Sequence, residues 1–245
     1  MSTAFVVLAA TRAPSWAEIE EDGDGILVAA QPPHPSGRPG ILYHLRVRAT
    51  DRLTVAEVEP GTLLPRRCPE RHVTYDGSFC LGLDPFGCTA DEVDDFWAKL
   101  RSYLLCQQFA DTRGQWPTGR WLSHGDAARH QLAAEAAAER AGLAARYRKA
   151  LEFGMGRLAG PLPSESFGTR SSASKSVRRL AIEDLIGAEN RRRAAEAAFA
   201  DTYVLWGVRC CGTMHDCPIR DREAAMENAA QATSTPSGEE RNGFD

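Results

Sequence analysis

A chain of 245 residues can bury a core, as one ordinary domain plus an extension or as two small ones. Its net charge of -4 gives no electrostatic case for nucleic acid or a membrane surface, and no apolar run is long enough to cross a bilayer. Seven cysteines without a secretory signal argue for a reducing, cytoplasmic setting, with thiols serving as nucleophile, metal ligands or buried apolar groups rather than a disulfide framework.

In chain order, Ala4 to Ala10 is short and apolar with no basic segment before it, and reads as a strand rather than a signal peptide. Gly25 to Ala30 is another strand. Gln31 to Gly40, rich in Pro and Gly, is a loop. Ile41 to Arg48 comes to alternate apolar with polar, as a half-buried strand does. Asp51-Arg52 then turns the chain into Leu53 to Pro60, with Leu53, Val55 and Val58 facing inward, so the two runs make an antiparallel hairpin. Thr89 and Glu92 form a capping box, and Val93, Trp97, Leu100 and Leu104 recur as one apolar stripe that must pack on the meander. Gly114-Gln115-Trp116-Pro117 stops that helix. Ser123 and Asp126 offer a second cap, ahead of a long Ala-rich helix running to about Leu151. Gly154 to Ser174 is a linker, and Val177 to about Val204 is a further helix. Its Arg191-Arg192-Arg193 run, like Arg178-Arg179, reads as a solvated face rather than a nucleic-acid patch. The polar end from Asn228 has too little apolar content to order itself. The pattern predicts an α+β fold, divided into a domain at 1–120, a helical extension at 121–205, a Cys-rich segment at 206–220 and a disordered tail at 221–245.

The chemistry concentrates between the meander and the capped helix, in Arg66-Arg67-Cys68-Pro69-Glu70-Arg71-His72-Val73-Thr74-Tyr75-Asp76-Gly77-Ser78-Phe79-Cys80-Leu81-Gly82. An Asp76-Gly77 turn presents Cys80, with His72 upstream. A cysteine offered on a turn near a polar side chain suits covalent transfer. Gly77, three before Cys80, and Leu81 after it make Gly-x-x-Cys-Leu, with Leu64-Pro65 upstream. In these residues the first half of the chain resembles the ubiquitin-conjugating enzymes, in particular their divergent bacterial relatives. That family places His-Pro-Asn ahead of the Gly-x-x-Cys-Leu. Here Glu70 falls where its His would be and His72 where its Asn would be, so that half departs from the pattern.

The resemblance implies a sheet, a loop bearing the nucleophile and a covering helix, that is, a UBC-like fold. It implies that Cys80 carries a ubiquitin-like modifier as a thioester after a separate ATP-using enzyme activates it, and yields it to an amine on a protein target. His72, or backbone N–H groups around Leu81, would stabilise the oxyanion. Asp76 makes the turn and is a candidate for orienting the amine. The transfer would need no cofactor. Bacterial systems of this kind often serve antiphage defence, so that role is implied too.

Cys210, Cys211, His215 and Cys217 form a second cluster, a candidate structural zinc site with Cys68 as a possible distant ligand; the alternative is reduced thiols packed beneath Trp206. Cys106 reads as core and Cys88 as a bystander. Cys68 reads as structural, with a resolving thiol as the sharper alternative. His124 reads as a solvated imidazole beside Ser123, or else as a base. Two other classes remain open: a cysteine hydrolase using Cys80 with His72 or His124, and a non-catalytic scaffold.

Overall fold

A computed structural model describes residues 2–23, 25–34, 36–49, 53–82, 89–117, 122–163, 177–215 and 217–234. The Asp51-Arg52 turn, Cys88 and the tail beyond 234 lie outside the described residues. After helix α1 (Ser2–Thr11) come strands β1 (Ala17–Asp22), β2 (Gly25–Ala30), β3 (Tyr43–Ala49) and β4 (Leu53–Glu57). They form one antiparallel sheet in sequence order. The expected α+β architecture, a meander with covering helices followed by a helical extension, is the one found.

Register follows from the period of two. Ile26 pairs with Val47, Val28 with Leu45 and Ala30 with Tyr43, so all six side chains lie on the buried face. Helix α2 (Ala90–Arg113) contributes Val93, Phe96, Trp97, Leu100, Tyr103 and Leu104 to the same core. The Thr89–Glu92 capping box is complete in both directions, and Gly114 ends the helix in a left-handed conformation at φ 63. A lost cap costs about 1 kcal/mol, whereas each fully buried Phe or Leu contributes about 1.5–3 kcal/mol. The apolar face therefore holds the helix, and the cap fixes where it begins.

Two readings near the N-terminus are corrected. Ala4 to Ala10 is helix, not strand: Phe5, Val6 and Ala9 share one buried helical face, and Phe5 meets Phe96 edge-on at 5.4 Å. A short run that is wholly apolar carries no period by which to tell the two apart. At the end of β4, Glu57 rather than Val58 faces inward. Its carboxylate accepts hydrogen bonds from the backbone of Gly61, Leu63 and Leu64, which compensates its burial and ties down the next loop.

The long Ala-rich helix is two: α3 (Ala127–Ala141) and α4 (Ala144–Phe153), broken at Gly142. Asp126 holds the N-cap position of α3 without a side-chain cap bond. Helix α5 (Val177–Leu205) packs along α3, where Ala134, Ala137 and Ala138 let it approach Leu185 and Ala188. Most of the Arg191–Arg193 run is not a solvated face. Arg192 and Arg193 both bind buried Glu189, and Arg193 also donates to the carbonyls of Leu158 and Gly160. Helix α6 (Pro218–Ser234) packs on α5, so the expected tail is helical as far as Ser234. Among the described residues, no helix is long and apolar enough to cross a membrane.

Candidate functional site

The thiol of Cys80 is set by its neighbours. Phe79 and Leu81 are both buried in the core. Side chains alternate along an extended segment, so Cys80 between them is turned outward. The Phe79 ring stacks on Tyr103 at 4.6 Å, and the Phe79 backbone N–H donates to the Val55 carbonyl at 2.7 Å, fixing the loop to β4. Upstream, Thr74 to Ser78 is a closed turn. Asp76 accepts from the backbone N–H of Ser78 at 3.0 Å and from its hydroxyl, and Gly77 at φ 84 supplies the left-handed residue. Asp76 is thus engaged as a turn residue.

Helix α2 fixes the residues before that turn. A short 3-10 turn, Pro69–Arg71, leads into His72, whose backbone is left-handed at φ 52. Tyr103 donates to the carbonyls of Arg71 and His72, and the Gln107 amide donates to that of Arg71. The Arg71 guanidinium, 1% exposed, returns a hydrogen bond to Gln107. The His72 carbonyl also accepts from the Cys80 N–H at 2.9 Å.

Although Cys80 as a residue is exposed, the surroundings of its sulfur push the thiol above its ordinary value, and a hydrogen bond from the Gly82 backbone offsets this only in part. Gly82 sits at φ 127, a conformation that favours glycine. Burial pushes His72 down to about 3, helped by the charge of His124, so its ring is neutral.

His124 is not the solvated imidazole expected from its place beside Ser123. Its Nε2 lies 2.8 Å from the Pro69 carbonyl and its Nδ1 3.1 Å from Glu196 of α5. Both partners are acceptors, so both nitrogens carry hydrogen and the ring is an imidazolium. Burial pushes its pKa down, but the hydrogen bond and charge of Glu196, with Glu70 and the Pro69 carbonyl, outweigh this and raise it overall. The ring is stacked between His72 at 5.0 Å and Phe199 at 5.1 Å.

These groups line a cavity of about 590 Å³, with Cys80 and His72 on one wall and His124, Leu132, Phe199 and Tyr203 from the helical extension on the other. A hollow of about 640 Å³ lies over the outer sheet face among Glu18, Glu20, His44 and Glu59 and is lined by no cysteine, whereas Cys80 lines the first. Of the residues the sequence singled out, Cys80 and His72 line this cavity, and Asp76 is not among its lining residues. Nothing in the sequence pointed to Glu196, and the expected helix from Val177 to about Val204 was the one cue to Phe199 and Tyr203.

The expected zinc ligands do not assemble. Among the described residues there is no group of three or more His, Cys, Asp or Glu that could hold a metal ion. The His215 ring packs on Gly114, where a Cβ would strike it, and the His215 backbone N–H donates to the Gly114 carbonyl at 2.7 Å. Cys211 lies 3.0 Å from Cys68. The hydrogen bond between the two sulfurs pulls Cys211 down to about 5, whereas Cys68 is pushed up by the same bond and by burial. Burial and its neighbour Cys210 push Cys217 up.

Residues 16–118 match the family model described as "Prokaryotic E2 domain". This supports a bacterial E2-like family for that segment, as Gly77, Cys80 and Leu81 implied. The match covers less than half of the chain and ends before the extension that supplies the second wall of the cavity. No curated protein and no solved structure matches the chain.

Proposed function

We propose that the protein carries a ubiquitin-like modifier as a thioester on Cys80 and passes it to an amine of a protein target. The observation that supports this most is Cys80 itself, turned into a cavity between two core anchors, inside the segment that is similar to a prokaryotic E2 domain. The Cys80 sulfur attacks the carbonyl of a modifier held as a thioester on its activating enzyme. The old carbon–sulfur bond breaks, and the departing thiolate takes up the proton that Cys80 gives. A thiol raised above its ordinary value is compatible with such an exchange, because one thiol replaces another. The amine then attacks, and Cys80 leaves as thiol. An E2-like transfer step needs no cofactor. The Gly82 N–H, hydrogen-bonded to the sulfur, and His72, which lines the same cavity, are the candidate donors for the oxyanion.

A cysteine hydrolase would need an imidazole base. His72 is too weakly basic and His124 is already protonated. A role in antiphage defence rests on the family resemblance alone.

The test mixes the protein with its cognate activating enzyme, modifier and ATP and reads the product on a non-reducing gel. The parent protein gives a thiol-sensitive adduct and Cys80→Ala gives none. An adduct that survives Cys80→Ala removes the assignment. A Cys80→Ser chain that keeps full biological activity favours the scaffold reading.

A further inference from the structure

The thiols behind the cavity have no part in transfer at Cys80. Cys68 and Cys211 are 143 residues apart in the chain, yet their sulfurs are 3.0 Å apart and both are free. Their settings differ. Cys68 is 2% exposed, in a cluster with Tyr203, Val208 and Met214. Cys211 is half-buried, and its sulfur is also 3.1 Å from the Thr213 hydroxyl. One sulfur can be reached from solvent, and a sheltered one lies against it. This is the arrangement of an attacking and a resolving thiol.

We propose that Cys211 and Cys68 are an oxidisable pair, which a hydroperoxide converts to a disulfide. The Cys211 thiolate attacks one peroxide oxygen. The O–O bond breaks, the other oxygen leaves as hydroxide or alkoxide, and Cys211 becomes a sulfenic acid. Cys68 then attacks that sulfur. The S–S bond forms, the S–O bond breaks, and the hydroxyl departs as water with the proton of Cys68. Two electrons pass from the two sulfurs to the peroxide. The sulfurs must close by about 1 Å to bond.

The position of Cys68 gives the bond its consequence. Its backbone pairs with Val73, which pairs in turn with Phe79, next to Cys80. Cys211 lies in the segment after α5, the helix that brings Phe199 and Tyr203 to the cavity and Glu196 to His124. The disulfide would join the base of the Cys80 hairpin to that segment and clamp both walls of the cavity. A reducing thiol would release it.

The experiment does not depend on the thioester reading. Reduced, desalted full-length protein is treated with hydrogen peroxide at increasing ratios, alkylated, digested and mapped by mass spectrometry. The expected result is a Cys68–Cys211 linked peptide, two hydrogens lighter than its reduced parts, appearing before any other disulfide and disappearing with dithiothreitol. Cys211→Ser abolishes it and Cys106→Ser leaves it unchanged. The parent protein alone decides the matter even if a variant misfolds. Three results overturn the proposal: Cys210–Cys217 linked first, Cys211 driven to sulfinic acid with Cys68 still alkylatable, or zinc near one per chain with both thiols protected until it is chelated.

Discussion

His72 joins two properties that pull on different substitutions. Its backbone is left-handed, which Asn tolerates and Ala resists, and its neutral ring lines the Cys80 cavity. If the ring supports transfer, His72→Ala loads Cys80 nearly normally but discharges to amines about a hundredfold more slowly. His72→Asn keeps the backbone and recovers part of the rate. Discharge by His72→Ala at the parent rate, with loading intact, makes the ring structural. His124 makes a pH prediction. Its pKa is raised on folding, so the stability it contributes is fully present below the ordinary value of 6.5 and is lost as pH rises through the raised value. The urea-midpoint advantage of the parent over His124→Gln is therefore largest on the acid side and shrinks above it. An advantage that grows with pH would show that His124 is neutral in the folded protein. His72 has the opposite sign, losing stability as pH falls from 6.5 toward about 3, and it is present in both proteins.

Helix α2 shows how much an element announces of itself. Thr89 and Glu92 act within one turn, so the cap was legible in the sequence. Thr89→Ala lowers stability by about 1 kcal/mol with the urea slope unchanged; no change would mean that the helix starts elsewhere. Cys80, Asp76 and Gly77 were legible for the same reason, since a turn is written in adjacent residues. Strand β1 was missed because Glu18, Glu20 and Glu21 mask the inward Ala17 and Ile19. Glu57 was missed because a buried carboxylate is tolerable only through backbone donors that no pattern displays. The break at Gly142 had its signal, a glycine, within a run of strong helix formers that outweighed it. The wall of the cavity was illegible for a different reason: His124 meets Pro69 across 55 residues and Glu196 across 72, and nothing local encodes either meeting.

Taken whole, the molecule joins its sheet region and its helical extension at one cavity. The boundary expected at 120 runs through the cavity, whose two walls stand on either side of it. A chain cut to 1–120 loses His124, Glu196, Phe199 and Tyr203 and uncovers Cys68 and Ala110, which are buried with residues from beyond the cut. It should melt well below the full chain or aggregate on heating. The same melting temperature for both would make the extension a mere appendage. Trp116 carries the point further. It packs against the sheet core on one side and the C-terminal cluster on the other, within 5.0 Å of His72 and 5.9 Å of Tyr103. A chimera that grafts residues 16–118 onto a foreign helical partner inherits a tryptophan with one face cut to fit something left behind. Exchange of this segment between proteins succeeds only when Phe199, Tyr203 and Val208, or their equivalents in shape, travel with it.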